Sequence, residues 1–350
     1  MKIAQIAPLM ESVPPRLYGG TERVVSYLTE ELVAQGHAVT LFASGDSRTS
    51  ARLAPICDEA IRLSPKIRDP IPYYSLMLEE IRRRSGEFDI FHFHVDCLQY
   101  PLLRALQLPS VTTMHGRLDM PEYAALFAQF SEMPLVSISN AQRKPLAKAH
   151  WAGTVYHGLP ANLLRFSAAP QNYLAFLGRI SAEKRPDRAI QIARSVQMPL
   201  RIAAKVDAAD RKYFEDHIRG LLDQPDVEFA GEIEEAGKSE FLGGARALLF
   251  PIDWPEPFGL VMIEAMACGT PVIAWRCGSV MEIVEDGVTG FIVDDMDAAI
   301  AAVGRIDELD RRQIRRRFLE RFSAAKMAAG YVEIYQRLLR KNEPRLSIIG

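Results

Sequence analysis

Two glutamates, Glu256 and Glu264, lie in a stretch whose residue types suit a phosphorylated, hydroxyl-rich ligand. Glu264 is inside the apolar run Leu260–Cys268, which predicts a buried helix that begins after Gly259 and ends at Gly269. Glu256 precedes this run in a proline-rich loop. If most of the gap between the glutamates is helical, they lie roughly 12 Å apart. That distance is close to the span from a sugar ring to a nucleoside ribose across a diphosphate.

Spacing alone leaves two interpretations of this pair. In the first, the helix start between the glutamates binds phosphate, because the N–H groups of a first helical turn are unpaired and face the positive end of the helix dipole. In the second, Glu264 pairs with a buried arginine and Glu256 is solvated. A carboxylate inside an apolar run needs a partner in either case.

A long segment of the chain resembles, without a gap, the E-x7-E motif of the retaining GT-B glycosyltransferases of family 4; it reads Glu256-Pro-Phe-Gly-Leu-Val-Met-Ile-Glu264-Ala-Met-Ala-Cys-Gly-Thr-Pro-Val-Ile-Ala. The resemblance implies the α/β GT-B fold, in which two Rossmann-like, doubly wound parallel-sheet domains face a cleft. It also implies an enzyme that moves a hexosyl group from a UDP- or GDP-sugar to a hydroxyl acceptor with net retention.

The same resemblance assigns roles to the residues of this stretch. Glu256 would be catalytic and bind the hydroxyls of the transferred sugar, and Glu264 would bind the ribose of the nucleotide. The helix start would contribute further donor-binding residues, which are Phe258, Gly259, Leu260 and Val261.

A second motif, Gly178-Arg179-Ile-Ser-Ala-Glu183-Lys184, follows a predicted strand and resembles the family's G-R-x-x-x-E-K segment. Arg179 and Lys184 place two cations on a flexible loop, where they could neutralise a diphosphate leaving group. Lys205 replaces the small residues usual in the family after the next strand and could add a third phosphate contact or alter nucleotide selection. Ile233 lies in a turn that, by resemblance, meets the base through backbone groups, so the sequence leaves UDP or GDP undecided.

The loop before the first predicted helix contains Gly19 and Gly20, which allow close approach of a ligand to the backbone. The loop lacks the G-x-G-x-x-G dinucleotide pattern, and by resemblance it meets the donor diphosphate. Tyr18 is predicted to face the acceptor.

Three residues at the end of one predicted strand, His92, His94 and Asp96, alternate so that they share one face. They could bind a metal ion, or one histidine could line the cleft while Asp96 caps the next helix. The resembled family has a similar histidine segment without a metal, which favours the second interpretation. By resemblance, His115 at the next strand end is a catalytic residue near the donor sugar.

The acceptor side is predicted to include three further positions besides Tyr18, namely His94, Arg117 and Ser139. No metal site is expected, because Asp295 and Asp297 precede a predicted helix and suit capping. No cofactor is expected either, since the nucleotide sugar is a co-substrate.

Short apolar runs alternate with helical patterns along the whole chain, which is typical of parallel sheets with crossover helices. The clearest predicted helix is Thr21–Gln35. Strands are predicted at Ile3–Ala7, Ala38–Ala43, Phe88–Phe93, Ser110–Met114, Leu135–Ile138, Thr154–Tyr156, Tyr173–Leu177, Leu200–Ala204, Val227–Ala230, Ala247–Phe250, Val272–Ala274 and Phe291–Val293. These predict an acceptor domain over residues 1–160 and a donor domain over residues 161–322. A final segment, residues 323–350, is expected to cross back to the first domain.

Composition favours an ordinary two-domain globular protein of the cytoplasm. A net charge of −2 gives no global attraction for nucleic acid, and the four cysteines form no metal or disulfide pattern. No apolar run is long enough to span a membrane, so only peripheral contact with its inner face stays open. The basic run Arg311–Arg317 is expected to be a solvated helix face, or otherwise a contact for anionic lipid or a phosphorylated acceptor.

Other functions remain open at this point. A catalytically silent nucleotide-sugar-binding protein and a GT-B epimerase both suit the same motifs. A phosphorylase would need a pyridoxal-bearing lysine, for which no clear segment is present. The acceptor could be a glycan, a lipid-linked glycan or a small metabolite.

Overall fold

The computed structural model describes residues 1–16 and 19–342. These residues form two compact units. Unit 1 contains Met1–Ile138, Arg143–Gly158 and the last described helix from Ala324 onward, and unit 2 contains Ser139–Gln142 and Leu159–Ser323. Each unit is built on one parallel sheet.

Unit 1 alternates strands and helices in the order expected of a doubly wound sheet. Its strands are β1 Lys2–Ile6, β2 Ala38–Ser44, β3 Arg52–Cys57, β4 Ile90–Phe93, β5 Ser110–Thr113, β6 Leu135–Ser137 and β7 Trp151–Thr154. The helices are α1 Gly20–Ala34, α2 Ile71–Arg83, α3 Tyr100–Leu106, α4 Pro121–Gln129 and the short α5 Asn140–Arg143, which crosses the boundary between the units. The chain returns to unit 1 as α14, Ala324–Asn342.

Unit 2 repeats this organisation without a repeated sequence. Its strands are β8 Leu174–Arg179, β9 Leu200–Lys205, β10 Val227–Gly231, β11 Ala247–Phe250, β12 Val272–Trp275 and β13 Gly290–Val293. The helices are α6 Pro186–Ser195, α7 Arg211–Tyr213, which continues through a π turn at Phe214–Ile218 into α8 Arg219–Leu222, α9 Glu235–Gly243, α10 Leu260–Ala267, α11 Val280–Ile283, α12 Met296–Val303 and α13 Arg311–Arg321. Short 3-10 turns lie at Ile61–Leu63, Ser85–Glu87, Lys144–Leu146, Ala208–Asp210 and Ile306–Glu308.

The strand orders show where each sheet reverses direction of winding. The order is β3-β2-β1-β4-β5-β6-β7 in unit 1 and β10-β9-β8-β11-β12-β13 in unit 2. The reversal therefore lies between β1 and β4, and between β8 and β11. In doubly wound sheets, ligands bind at the carboxyl ends of the strands beside such a reversal, so each unit has one place where a ligand is expected.

The two-sheet α/β architecture predicted from the sequence is confirmed, with one strand more than expected. Strand β3 was not predicted; it contains Pro55 and lies at the sheet edge, where a missing N–H is tolerated. The last strand of unit 1 is Trp151–Thr154, so the prediction at Thr154–Tyr156 was three residues too late at its start. The predicted helix Thr21–Gln35 is confirmed as α1, which ends before Gly36 at φ +82°.

The expectation that the basic run is a solvated face was wrong for two of its arginines. Arg311 on α13 donates hydrogen bonds to the carbonyl groups of Ser167 (2.8 Å), Gly243 (2.9 Å) and Ala245 (3.0 Å). Arg315 donates to the carbonyl group of Ala267, at the end of α10. Cations suit the last carbonyls of a helix, and these two arginines hold the ends of α9 and α10.

Candidate functional site

The reversal in unit 2 brings together the two motifs singled out in the sequence. Arg179 is the last residue of β8, and the loop that follows β11 carries Glu256. The two loops are joined directly, because the Asp253 N–H donates to the carbonyl of Glu183 at 2.8 Å. Lys184 is thereby held beside the Glu256 carboxylate.

Glu256 is buried and its carboxylate is paired, so the interpretation of a solvated Glu256 was wrong. The ammonium group of Lys184 donates to Glu256 Oε2, and the indole N–H of Trp254 donates to the same oxygen at 2.9 Å. Lys184 also lies 5.2 Å from the Trp254 ring centre. These groups form a compact cation–carboxylate–indole cluster at the strand ends.

The backbone of this loop is fixed by the turn that follows β12. The Ser279 N–H donates to the carbonyl of Glu256 at 3.0 Å, and the Ser279 hydroxyl donates to the carbonyl of Phe258 at 2.7 Å. Gly278 has φ +57°, and a Cβ there would lie 2.4 Å from both the backbone N and the backbone O of Glu256. Only glycine therefore allows this close approach.

The predicted helix after Gly259 is confirmed as α10, with Gly259 at φ +79° before it and Gly269 at φ +79° after it. Helical geometry begins at Leu260, so four of the seven residues between the two glutamates are helical. The ring of Phe258 is buried against Phe322, so Phe258 can serve a ligand only through its backbone. Leu260 and Val261 form the half-buried first turn.

Glu264 has a buried partner, but it is a lysine and not the arginine considered from the sequence. Lys238 on α9 donates to Glu264 Oε1 at 2.7 Å and lies 3.4 Å from the carboxylate of Glu235. The side chains of Glu264 and Lys238 are 5% and 12% exposed. The Lys238 ammonium group neutralises the Glu264 carboxylate, which would otherwise be buried in the apolar helix without a partner.

The remaining predicted donor residues lie at the same strand ends with acidic neighbours. Arg179 is within 3.5–3.7 Å of the carboxylates of Glu183, Asp207 and Asp210. Lys205 pairs with Asp207 at 3.0 Å. Ile233, the predicted contact for the base, is half-buried and lies just before α9. The contacts of Arg179 are long, so its guanidinium is not fixed by one close ion pair.

The reversal in unit 1 carries a histidine cluster, in which His92, His94 and His157 are buried and His115 is half-buried. His92 on β4 hydrogen-bonds to Thr113 at 2.7 Å and to the Tyr335 hydroxyl at 2.6 Å. His94 directly follows β4, and its Nδ1 lies 2.9 Å from His115 Nε2. His157 stacks on His115 with ring centres 5.3 Å apart.

Burial determines the charge of these histidines. Removal from water lowers the pKa of His92, His94 and His157 well below the ordinary value, and neighbouring imidazoles add to the effect. Burial also lowers the pKa of His115 to about 3. The whole cluster is therefore neutral at physiological pH, which suits hydrogen bonding to hydroxyl groups.

The structure also shows the local surroundings of four other residues of unit 1 that were singled out in the sequence. Asp96 does not cap α3, whose N-cap is Gln99 without a side-chain bond, so that interpretation was wrong. Arg117 pairs with Asp119 at 2.7 Å. Gly19 precedes α1, and a Cβ on it would lie 2.7 Å from the side chain of Pro15. Gly20 begins α1.

Two predicted acceptor positions differ in what the structure says of them. Ser139 is buried and accepts a hydrogen bond from the N–H of Gln142 at 3.0 Å, within unit 2. Tyr18 lies outside the described residues. The predicted roles of both in acceptor binding stay predictions.

Neither a metal cluster nor a membrane-spanning helix is found within residues 1–16 and 19–342. In that part of the chain no group of three or more His, Cys, Asp or Glu side chains is arranged to hold a metal ion. Asp295 caps α12 by accepting from the N–H of Ala298 at 2.8 Å, as predicted. Over the same residues, no helix combines the length and the apolar character needed to cross a membrane.

Sequence reasoning missed Asp253, Trp254, Lys238, Gly278 and Ser279. Trp254 lies only two residues before Glu256, so the sequence itself places it near the site. Lys238 and Gly278 come from other elements, and only the folded chain brings them to the site.

Two family models cover most of the chain. The model described as Glycosyl transferases group 1 matches residues 165–326, and the model described as Glycosyltransferase Family 4 matches residues 18–156. A curated relative is the phosphatidyl-myo-inositol mannosyltransferase of Mycobacterium leprae, which is 25% identical over 91% of this chain and 90% of its own length.

Solved structures show the same fold. Sucrose-phosphate synthase from Thermosynechococcus elongatus superposes with a TM-score of 0.79 at 19% identity, over 97% of this chain and 99% of the other. Anabaena HepE in complex with UDP and glucose gives a TM-score of 0.73 at 17% identity, over 96% and 99%. With both halves of the chain matched by the family and the predicted motifs present in each unit, this protein belongs to glycosyltransferase family 4 and is a glycosyltransferase.

Proposed function

We propose that this glycosyltransferase moves a hexosyl group from a UDP- or GDP-sugar to a hydroxyl acceptor, with retention of anomeric configuration and without a metal ion. The observation that carries the proposal is the Lys184–Glu256 pair, which lies at the sheet reversal of unit 2 just before the start of α10. A cation for phosphate and a carboxylate for sugar hydroxyls are thus adjacent.

The chemistry asked of these residues is mainly electrostatic. A departing diphosphate carries negative charge, which Arg179, Lys184 and the N–H groups at the start of α10 would stabilise. On binding, the diphosphate would take over Lys184 from Glu256. The Glu256 carboxylate would then turn to the hydroxyls of the transferred sugar. The acceptor would attack from the side of the leaving group, whose phosphate oxygen takes the acceptor's proton.

Glu264 would bind the ribose hydroxyls, because it lies on α10, which starts beside the proposed diphosphate site. Lys238 of α9 holds its carboxylate in place. In unit 1, His115 would contact a sugar or acceptor hydroxyl. The bound UDP and glucose of HepE support a nucleotide sugar as donor, and the mannosyltransferase name of the M. leprae relative supports a hexosyl group as the part transferred. The acceptor class is the part that the experiment must supply.

The test is a panel of UDP-, GDP- and ADP-sugars, each offered with glycan, lipid-linked glycan and small polyol acceptors, with and without EDTA. We expect turnover with one nucleotide, an NMR coupling that shows the retained anomer, and no loss in EDTA. Inversion, or activity that EDTA abolishes, would contradict the corresponding part of the proposal.

Matched variants connect the reaction to the site. Glu256→Gln and Lys184→Met should each lower kcat by about 100-fold while the thermal midpoint changes little. Lys212→Met is the control, because Lys212 is an exposed lysine of α7. Full turnover in both site variants would refute the assignment.

The panel also separates the alternatives. Nucleotide binding without turnover of any sugar would indicate a silent nucleotide-sugar-binding protein. A nucleotide sugar with altered stereochemistry, formed without an acceptor, would indicate an epimerase.

A further inference from the structure

Gln5 is a buried polar residue of unit 1 that the family motifs and the proposed function leave unexplained. It lies in β1, between apolar neighbours, and its side chain is fully buried. Gln5 pairs in register with His92 of β4, at the point where the strand order reverses. A buried amide must find hydrogen-bond partners for both its ends, and those partners fix its orientation.

The two ends of the Gln5 amide meet different residues. Oε1 lies 2.7 Å from His94 Nε2, whereas Nε2 lies 3.2 Å from the Tyr335 hydroxyl and 3.4 Å from His92 Nδ1. An amide oxygen can only accept a hydrogen bond, so His94 carries its proton on Nε2. The Tyr335 hydroxyl accepts from the Gln5 amide and donates to His92 Nδ1 at 2.6 Å.

The protonation of His94 determines that of His115. Since neutral His94 has its proton on Nε2, its Nδ1 is an acceptor, and His115 Nε2–H donates to it across 2.9 Å. His115 is also neutral, because burial lowers its pKa to about 3. Its Nδ1 is therefore an acceptor.

His115 Nδ1 is a buried acceptor for which the described residues supply no donor. Such an atom in a folded protein calls for an explanation, and a ligand contact is one. The next residue, Gly116, has open space where a side chain would start. A ligand hydroxyl approaching this strand end could donate to Nδ1.

We propose that Gln5 is a positioning residue: its amide oxygen fixes the proton of His94 on Nε2 and thereby keeps His115 Nδ1 as the acceptor for one hydroxyl of the bound sugar or of the acceptor molecule. The substrate class in this statement rests on the proposed function; the proton arrangement does not. Without the Gln5 oxygen, the His94–His115 bond can reverse, and His115 Nδ1 then carries a proton and cannot accept.

The first test is NMR of the full-length protein labelled with 15N-histidine, at neutral pH. In the wild-type protein, we expect the protons of His94 and His115 on Nε2. Gln5→Met, which keeps the length and removes the acceptor, should give a mixed or reversed pattern at both residues. Tyr335→Phe is the control, because it disturbs the same cluster and leaves the Gln5–His94 bond in place. A proton on His115 Nδ1 in the wild-type protein, or an unchanged pattern in Gln5→Met, would overturn the proposal.

The second test uses substrates that lack one hydroxyl at a time, on the donor sugar in one series and on the acceptor in the other. With the intact substrates, Gln5→Met should lower kcat/KM about tenfold, the loss of one hydrogen bond in the transition state. With one of the deoxy substrates, the wild-type protein and Gln5→Met should have the same kcat/KM. If that substrate is a donor sugar, the donor contacts His115; if it is an acceptor, the acceptor does.

These two measurements distinguish failure of the proposed function from failure of the Gln5 proposal. If no nucleotide sugar is turned over, the proposed function fails, and the proton positions still decide the role of Gln5. If the wild-type protein turns over its substrates and Gln5→Met lowers kcat/KM by the same factor with every deoxy substrate, Gln5 contributes only to stability and the proposal is refuted.

Discussion

Glu256 owes its position to a glycine on another loop. Gly278 and Gly287 both have positive φ, at +57° and +71°, but a Cβ would meet the Glu256 backbone only at Gly278; at Gly287 nothing lies within 4 Å. An alanine at either position pays the left-handed strain of roughly 1–2 kcal/mol. Only at Gly278 must the Glu256 backbone also move.

We therefore predict that Gly278→Ala lowers kcat by about 100-fold, since a displacement of about 1 Å can have that effect. Gly287→Ala should lose only stability, by roughly 1–2 kcal/mol. Steady-state kinetics and thermal melts of both variants measure the two effects. Equal turnover in the two variants would show that the Gly278 contact does not position Glu256.

At the scale of elements, α13 anchors the two helices that carry Lys238 and Glu264. Arg311 donates to three backbone carbonyl groups and to the Thr270 hydroxyl, at 2.8–3.0 Å. Burial lowers the pKa of Arg311 to about 10, so it remains charged at neutral pH. Removing this guanidinium would leave several buried acceptors without a donor.

Arg311→Met should thus lower the free energy of unfolding of unit 2 by about 2–4 kcal/mol. Arg316, on the same helix, is exposed, and Arg316→Met should change the free energy of unfolding by less than about 0.5 kcal/mol. Urea unfolding in a Trp151→Phe background, in which the fluorescence comes from Trp254 and Trp275 of unit 2, gives both values. Similar values for the two variants would restore the interpretation of a solvated basic face.

The elements themselves differ in how far the sequence predicts them. The apolar run with a glycine at each end is a local signal, and α10 was predicted to within a residue. Strand β3 has no such signal, because an edge strand can contain a proline and exposed residues. The Lys238–Glu264 pair depends on how α9 packs against α10, and no local pattern records that contact.

At the scale of the whole molecule, the two units should respond differently to acid. Unit 1 holds the histidine cluster, and removal of these imidazoles from water lowers their pKa values. The unfolded chain takes up these protons as the pH falls through about 6.5, whereas the folded unit does not. The stability of unit 1 is therefore complete above pH ~6.5 and declines below it.

Each such histidine contributes a slope of up to about 1.4 kcal/mol per pH unit. Unfolding between pH 7 and pH 5 should show the steeper loss in unit 1, which is followed by Trp151 in a Trp254→Phe, Trp275→Phe background. Unit 2 is followed by Trp254 and Trp275 in a Trp151→Phe background. His92→Asn should flatten the slope of unit 1 by about one histidine's share. His217→Asn, at an exposed site in unit 2, is the control. Parallel slopes for the two units would contradict neutral, buried histidines.

The return of the chain to unit 1 has a consequence for biosynthesis. Tyr331 and Tyr335 of α14 donate or accept hydrogen bonds with Thr113 and His92 in the centre of the first sheet. The ribosome makes those two tyrosines only after all of unit 2 has been translated. Although N-terminal domains generally fold first during synthesis, unit 1 cannot complete its polar core until unit 2 has been translated. Unit 2, whose segments are almost contiguous, is the part of the nascent chain that can finish folding first.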